Sequence, residues 1–264
     1  KAIEGPGTAS AALGAPVVSG NVSLYTETDG APIAPTPSIG AVGLLQDADR
    51  HATIGGQNEG DALVAVGVTR GHLGQSLYLR NLFGIEEGPP PPVDLEREIK
   101  AGAFIRKCIA EERVTAVHDV SDGGLLVAAA EMCLSSGLGL AVTTPVSGRK
   151  AAYWFGEDQA RYLCAVPATA ADNFVLKAAM GGLQASRLGI FGGDAIVLVG
   201  TEHLSITSLA ALHEATLPDL YRREEDRLMP MQSDEIKEMI LTAMPDAEVE
   251  IEDLAGDGDH YRAR

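Results

Sequence analysis

The chain has 264 residues, 45% of them apolar and 5% aromatic, with a formal charge of −17, which allows one large domain or two modest ones around a core of Val, Leu, Ile and Ala. The acidic balance argues against nucleic acid as the main partner, since phosphate backbones need a basic footprint, but it leaves a nucleotide open, because Mg2+ and backbone amides hold phosphates without basic side chains. No apolar run approaches ~18 residues, so no membrane span is expected, and the scattered Cys108, Cys133 and Cys164 form no CxxC or zinc pattern, so reduced thiols in a cytoplasmic protein are expected.

The chain opens on Lys1-Ala2-Ile3-Glu4, with neither an initiator Met nor a signal-peptide stretch, and reads as a cut start. Residues 8–14 read as the end of an Ala-rich helix, stopped by Gly14 and then Pro16. Strands are expected at 17–25 and 39–45, with Thr28-Asp29-Gly30 as a turn between them. A domain boundary is expected in the polar stretch between Asp47 and Gly60. A strand at 61–68 follows, then a glycine-containing turn at 71–76, a short helix from Leu77 and a stiff Pro89–Pro92 connector. Residues 95–110 carry apolar Ile99, Phe104 and Ile109 among charges, as an amphipathic helix does. Next come a strand at 114–117, a loop at 118–124 and a helix at 125–134 closed by Ser135-Ser136-Gly137. Strands near 138–143, 161–166 and 194–199, with a helix across 170–180, suggest a mixed sheet covered by helices.

The character changes at Met229. Residues 222–264 hold 13 of the 37 acidic side chains. Ser233 caps an expected helix running to Met244, residues 247–252 alternate as a strand, and Asp257-Gly258-Asp259-His260 reads as a turn. A second strand starts at Tyr261 and meets the end of the sequence at Arg264, which reads as a truncation.

Two segments carry candidate chemistry. In 18–25, strand alternation puts Ser19, Asn21 and Ser23 on one face and Val18, Val22 and Leu24 on the other. Gly20 allows a ligand close to the backbone. The Asn21 carbonyl is a hard oxygen suited to Mg2+, and a Ser hydroxyl suits a phosphate or substrate oxygen. The competing reading is a half-exposed strand with a polar solvent face. In 117–125, a strand, a glycine loop and a helix N-terminus follow one another, an arrangement that favours an anion. Asp119 would instead hold a metal bound to that anion. The competing reading has Ser121 or Asp122 simply capping the helix, with His118 structural. Glu157 and Arg161 read as a surface ion pair, and Gly192-Gly193-Asp194 as a tight turn into a strand.

These residues, in this order, resemble the formylglycinamide ribonucleotide amidotransferase family in its small, PurL-type form. The matching segments are PVVSGNVSLYTET at 16–28, PTPSIGAVGLL at 35–45, VHDVSDGGLLVAAAEMCL at 117–134, FGEDQARYL at 155–163, FGGDAIVL at 191–198 and SLAALHEATLPDLY at 208–221. The resemblance implies an α+β, PurM-like architecture. Residues 1–55 would be the end of a second A domain, and 56–221 a B domain forming a mixed-sheet α/β sandwich. It also implies an ATP-dependent ligase of purine synthesis. ATP activates the formyl amide oxygen of formylglycinamide ribonucleotide, and ammonia displaces the phosphate to give the amidine.

By position, Gly20 and Ser121 resemble ATP contacts, Ser23 a substrate contact, and Asn21 and Asp119 Mg2+ ligands; no catalytic residue falls within the chain. The family's histidines, lysine and main acidic ligands precede Lys1. The sequence is therefore expected to be inactive alone, and to need the missing N-terminal half, with a glutaminase subunit and a small PurS-type subunit as further partners. Gly74-Gln75-Ser76-Leu77-Tyr78 departs from the family's Gly-Gly-Ser-Glu-Tyr. Residues 229–264, within a third segment 222–264, resemble the start of a BolA-like protein, a family that partners monothiol glutaredoxins and can share an iron–sulfur cluster, with His260 near a candidate ligand position. Two other classes stay open: a non-catalytic nucleotide-binding or docking module, and another PurM-like ATP-using enzyme.

Overall fold

The computed structural model describes residues 3–21, 27–28, 30–33, 36–143, 148–199, 203–227, 237, 241–242, 251–253 and 261–263. It divides into two compact units, Lys1–Leu209 and Ala210–Arg264.

Helix α1, Glu4–Leu13, ends where Gly14 turns left-handed at φ 66°, as its sequence requires. The strands expected next do not form as read. Residues 17–21 are exposed and outside any strand, and 22–26 lie outside the described residues. A short hairpin stands instead between β1, Glu27–Thr28, and β2, Ala31–Pro32. The strand expected at 39–45 is absent, and Ile39, Val42, Leu44 and Leu45 are exposed. An isolated strand leaves its backbone groups unpaired and its apolar face in water, so it needs a neighbouring edge.

A seven-stranded sheet occupies the rest of the first unit. Its strands are β3 (Ala62–Val66), β4 (Ala116–Asp119), β5 (Leu140–Val142), β6 (Tyr162–Val166), β7 (Ala185–Phe191), β8 (Ala195–Val197) and β9 (His203–Ser205). The spatial order is β4-β6-β3-β7-β5-β8-β9; only β5 and β8 run parallel. The mixed sheet is the one expected. Three differences are informative. Strand β4 begins later than expected and carries His118 and Asp119 on the strand rather than in the loop. The strand β9 and the long strand β7 were not anticipated. In β7, Gly189 is required by close approach, since a Cβ there would lie 2.3 Å from the Ala141 carbonyl oxygen.

Helices cover both faces because alternate residues of the buried strands point oppositely. On one face Leu63, Leu163, Leu140, Leu188 and Ile196 pack against α4, Gly124–Ser136, through Leu125, Ala128 and Met132. Trp154 of the unanticipated helix α5, Lys150–Phe155, joins them. On the other face Val64, Val66, Cys164 and Val166 meet Ile105 and Cys108 of α3, Leu95–Ala110, and Phe174 of α6, Ala171–Met180. The α3 limits match the sequence reading because Asp94 caps it, accepting the Arg97 N–H at 3.1 Å. The short helix α2, Leu77–Phe83, is capped in the same way by the buried Ser76. Burial pushes the Cys133 thiol up to about 12 and raises Cys164 and Cys108 as well, so all three stay protonated at neutral pH.

Helix α7 spans Ile206–Arg227, covering the closing helix expected at 208–221, and contains Pro218. In the second unit, β10, Ile251–Asp253, pairs antiparallel with β11, Tyr261–Ala263. That hairpin agrees with the expected strand–turn–strand pattern; most of the expected helix at 233–244, and the turn with His260, lie outside the described residues. No helix among the described residues is long and apolar enough to cross a membrane.

Candidate functional site

The loop between β4 and α4 is built on two glycines. Gly123 and Gly124 take φ of 77° and 74°, values that favour residues without a Cβ, and a Cβ at Gly124 would strike the Gly156 carbonyl oxygen at 2.6 Å. Asp119 ends β4 with its side chain 67% exposed, and Ser121 and Asp122 are exposed beside it. Neither Ser121 nor Asp122 caps the helix, which corrects the capping reading: Gly123 holds the N-cap position with no side-chain bond of its own.

The anion at the head of α4 belongs to the protein. Glu157 Oε1 accepts the Gly123 N–H at 2.8 Å and the Leu77 N–H at 2.9 Å. One carboxylate thus caps both α4 and α2, where the helix dipoles favour negative charge. Next to it, Asp158 Oδ2 accepts from the Arg70 and Gly71 amides, each at 2.8 Å. Arg161 is 2% exposed and donates to the carbonyls of Asp158 (2.9 Å) and Gly156 (2.6 Å) and to the Thr69 hydroxyl (3.3 Å). Burial lowers its pKa, and Asp158, Tyr153 and Glu157 push it back up; a guanidinium keeps its charge there. The expected surface ion pair of Glu157 with Arg161 is therefore corrected. All three charged groups are buried and hydrogen-bonded, mostly to backbone, as buried charges need partners. The stack of Tyr78 on Phe155, 4.9 Å between centroids, seals the same corner.

His118 lies 2.8 Å from Glu131 Oε2 through Nε2 and 3.4 Å from Asp119 Oδ1 through Nδ1, held between two carboxylates as a structural histidine would be. Of the other candidates, Gly20 and Asn21 are exposed, with open space where a Gly20 Cβ would stand, and Ser23 lies outside the described residues. The structure thus places Asp119 at the end of β4 and Ser121 in the loop that follows, and leaves Gly20 and Asn21 in an exposed segment outside any strand. Asp119, Ser121 and Asn21 offer hard oxygen donors of the kind Mg2+ takes. Among the described residues no group of three His, Cys, Asp or Glu is placed to hold a metal. A Mg2+ ion here would accordingly take one or two oxygens from this chain and keep the rest for water and phosphate. A cleft of about 380 Å³ lies between Gly67, Arg97, Lys100 and Gly182, and none of these donors lines it.

The profile described as "AIR synthase related protein, C-terminal domain" matches residues 58–192. Two similar relatives are each a "Phosphoribosylformylglycinamidine synthase subunit PurL". That of Parvibaculum lavamentivorans is 50% identical over 218 residues, 82% of this chain and 30% of its own length. That of Caulobacter vibrioides is 50% identical over 219 residues, 83% of this chain and 29% of its own. The chain thus spans about 30% of the length of the curated relatives it matches. Among solved structures, a Thermotoga maritima PurL complexed with FGAR superimposes with a TM-score of 0.53 at 18% identity, over 62% of this chain and 30% of that one. This last likeness shows the fold alone.

Proposed function

Because the chain belongs to the family of the AIR synthase related protein C-terminal domain, we propose that it supplies the closing part of a phosphoribosylformylglycinamidine synthase. That ligase converts formylglycinamide ribonucleotide to the amidine with ATP and ammonia in purine synthesis. The observation that carries the reading is the 50% identity to the Parvibaculum PurL subunit over 218 residues. The chemistry demands positioning of an amide and electrostatic clamping of a transferred phosphoryl group. The exposed oxygens of Asp119 and Ser121, on a loop fixed from behind, suit one side of such a clamp.

In this reading Gly20 and Ser121 contact ATP, Ser23 contacts the ribonucleotide, and Asn21 and Asp119 ligate Mg2+. The segments 1–55 and 56–221 are the end of a PurM-like A domain and a B domain, in a cytoplasmic enzyme that also engages glutaminase and PurS-type subunits. The 264-residue sequence alone forms no amidine. Residues 229–264, within a segment 222–264 that begins as a linker, are read as a BolA-like start, which the β10–β11 pairing supports; binding of a monothiol glutaredoxin tests it, and no binding counts against it. A docking role has one observation in its favour, the exposed Ile39, Val42 and Leu44, which suit a face covered by other protein.

The test is amidine formation from formylglycinamide ribonucleotide, ATP and ammonia. It compares the 264-residue chain with one extended to the length of its relatives, and the extended chain with its Asn21→Ala and Asp119→Ala variants. The expected result is activity in the extended chain only, weakened by each substitution through a higher KM for Mg·ATP. Normal activity of both variants would sink the metal assignment.

A further inference from the structure

Asp119 ends β4, paired with Tyr162, and the loop that follows it carries Ser121. Its two left-handed glycines set a turn, and Gly124 N–H closes it on the Ser121 carbonyl at 3.2 Å, but no side chain of the loop caps α4. From outside, the loop is held at its start, where the Val120 N–H donates to the Arg161 carbonyl at 3.0 Å, and at its end by Glu157. The carboxylate oxygen that takes the Gly123 amide also takes the Leu77 amide, so the heads of α4 and α2 are tied to one atom. Glu157 is itself anchored, since its N–H donates to the His72 carbonyl at 2.9 Å. The backbones behind it are in contact: a Cβ at Gly156 would lie 2.7 Å from the Gly71 Cα. A carboxylate so placed, 8% exposed, has no freedom to shift without moving both helices.

We propose that Glu157 is a positioning residue. It sets the place of the 121–124 turn that carries Ser121 and, through it, the affinity for the Mg-bound nucleotide. The inference rests on the reading of Asp119 and Ser121 given above. A helix cap of merely structural value would change stability and nothing else, and Asp61 provides that control. Its carboxylate is also buried, accepting the Asn58 N–H at 2.9 Å and the Thr115 hydroxyl at 2.6 Å. It precedes Ala62, whereas Asp119 pairs with Tyr162 beside Val66, at the other end of β3.

The experiment compares the full 264-residue chain with Glu157→Ala, Glu157→Gln and Asp61→Asn by amide hydrogen exchange, melting temperature and Mg·ADP titration. Glu157→Ala is expected to speed exchange about tenfold in peptides covering both Leu77 and Gly123, because each amide loses its buried acceptor. Mg·ADP binding should weaken about fivefold as the loop loosens. Glu157→Gln should restore both, since the amide oxygen accepts the same two bonds. Asp61→Asn should lower the melting temperature without touching either readout. The proposal is overturned if Asp61→Asn weakens Mg·ADP as much at equal loss of stability, or if Glu157→Ala frees one helix head without the other. The titration is repeated on the chain extended to the length of its relatives; no Mg·ADP binding there would count against the function proposed above, and the exchange comparison would still decide whether Glu157 sets the loop.

Discussion

Residues 39–45 and 61–68 both read as strands from their apolar content, and only the second becomes one, as β3. Ala62–Val66 is buried at every position because β6 and β7 flank it and helices cover both faces. Ile39, Val42 and Leu44 carry comparable side chains and lie in water. The contrast shows that apolar content gives a segment the capacity to be a strand, while a neighbouring edge decides whether it is one. It also separates the two halves of the candidate site. Asp119 and Ser121 stand beside the buried sheet, whereas Gly20 and Asn21 lie in an exposed segment outside any strand.

The strongest attempt to break that comparison is Arg161→Ala. Removing a buried guanidinium leaves Asp158 and Glu157 without their balancing charge and three acceptors without a donor, a loss of about 3–5 kcal/mol. Urea unfolding should show it, and a loss below about 1 kcal/mol would mean that the cluster is not the pillar of the scaffold. Next in size is a pair. Leu163→Ala in the fully buried β6 should cost about 2–5 kcal/mol, whereas Leu44→Ser, in the exposed stretch, should stay within about 0.5 kcal/mol. Equal effects would mean that the 39–45 stretch is packed in solution. The smallest effect is on pH. Cys133 has a folded pKa raised from 9.0 to about 12, so its burial stabilises fully below pH 9 and that contribution fades as pH rises toward 12. Cys133→Ala should therefore flatten the alkaline end of the stability profile, and an unchanged slope would argue that the thiol is reached by solvent.

How far the sequence discloses this follows the same division. Helix α3 is legible to its limits because Asp94 and the charge pattern around Ile105 and Cys108 are local signals. Strands β3 and β6 are legible as unbroken apolar runs. Strand β7 is not, since Arg187 and Gly189 interrupt its pattern and the need for glycine arises from Ala141 on a different strand. For the site, the HDVSDGG run marks the loop, but nothing local says that Glu157 supplies the anion at the head of α4. That partnership joins residues 34 positions apart in sequence, and a charged residue looks the same on paper whether it meets water or an amide.

The pairing of β3 also sets a schedule. Ala62 stands opposite Val166 and Ile190, so the most apolar strand of the sheet is made about a hundred residues before either neighbour. At roughly 5–20 residues per second of synthesis, that strand waits about 5–20 s for its first partner and longer for its second. Through that interval its two unpaired edges invite wrong neighbours. Birth on the ribosome is thus the moment at which this chain is most exposed to aggregation, and the moment at which a chaperone that shields short apolar strands would matter most.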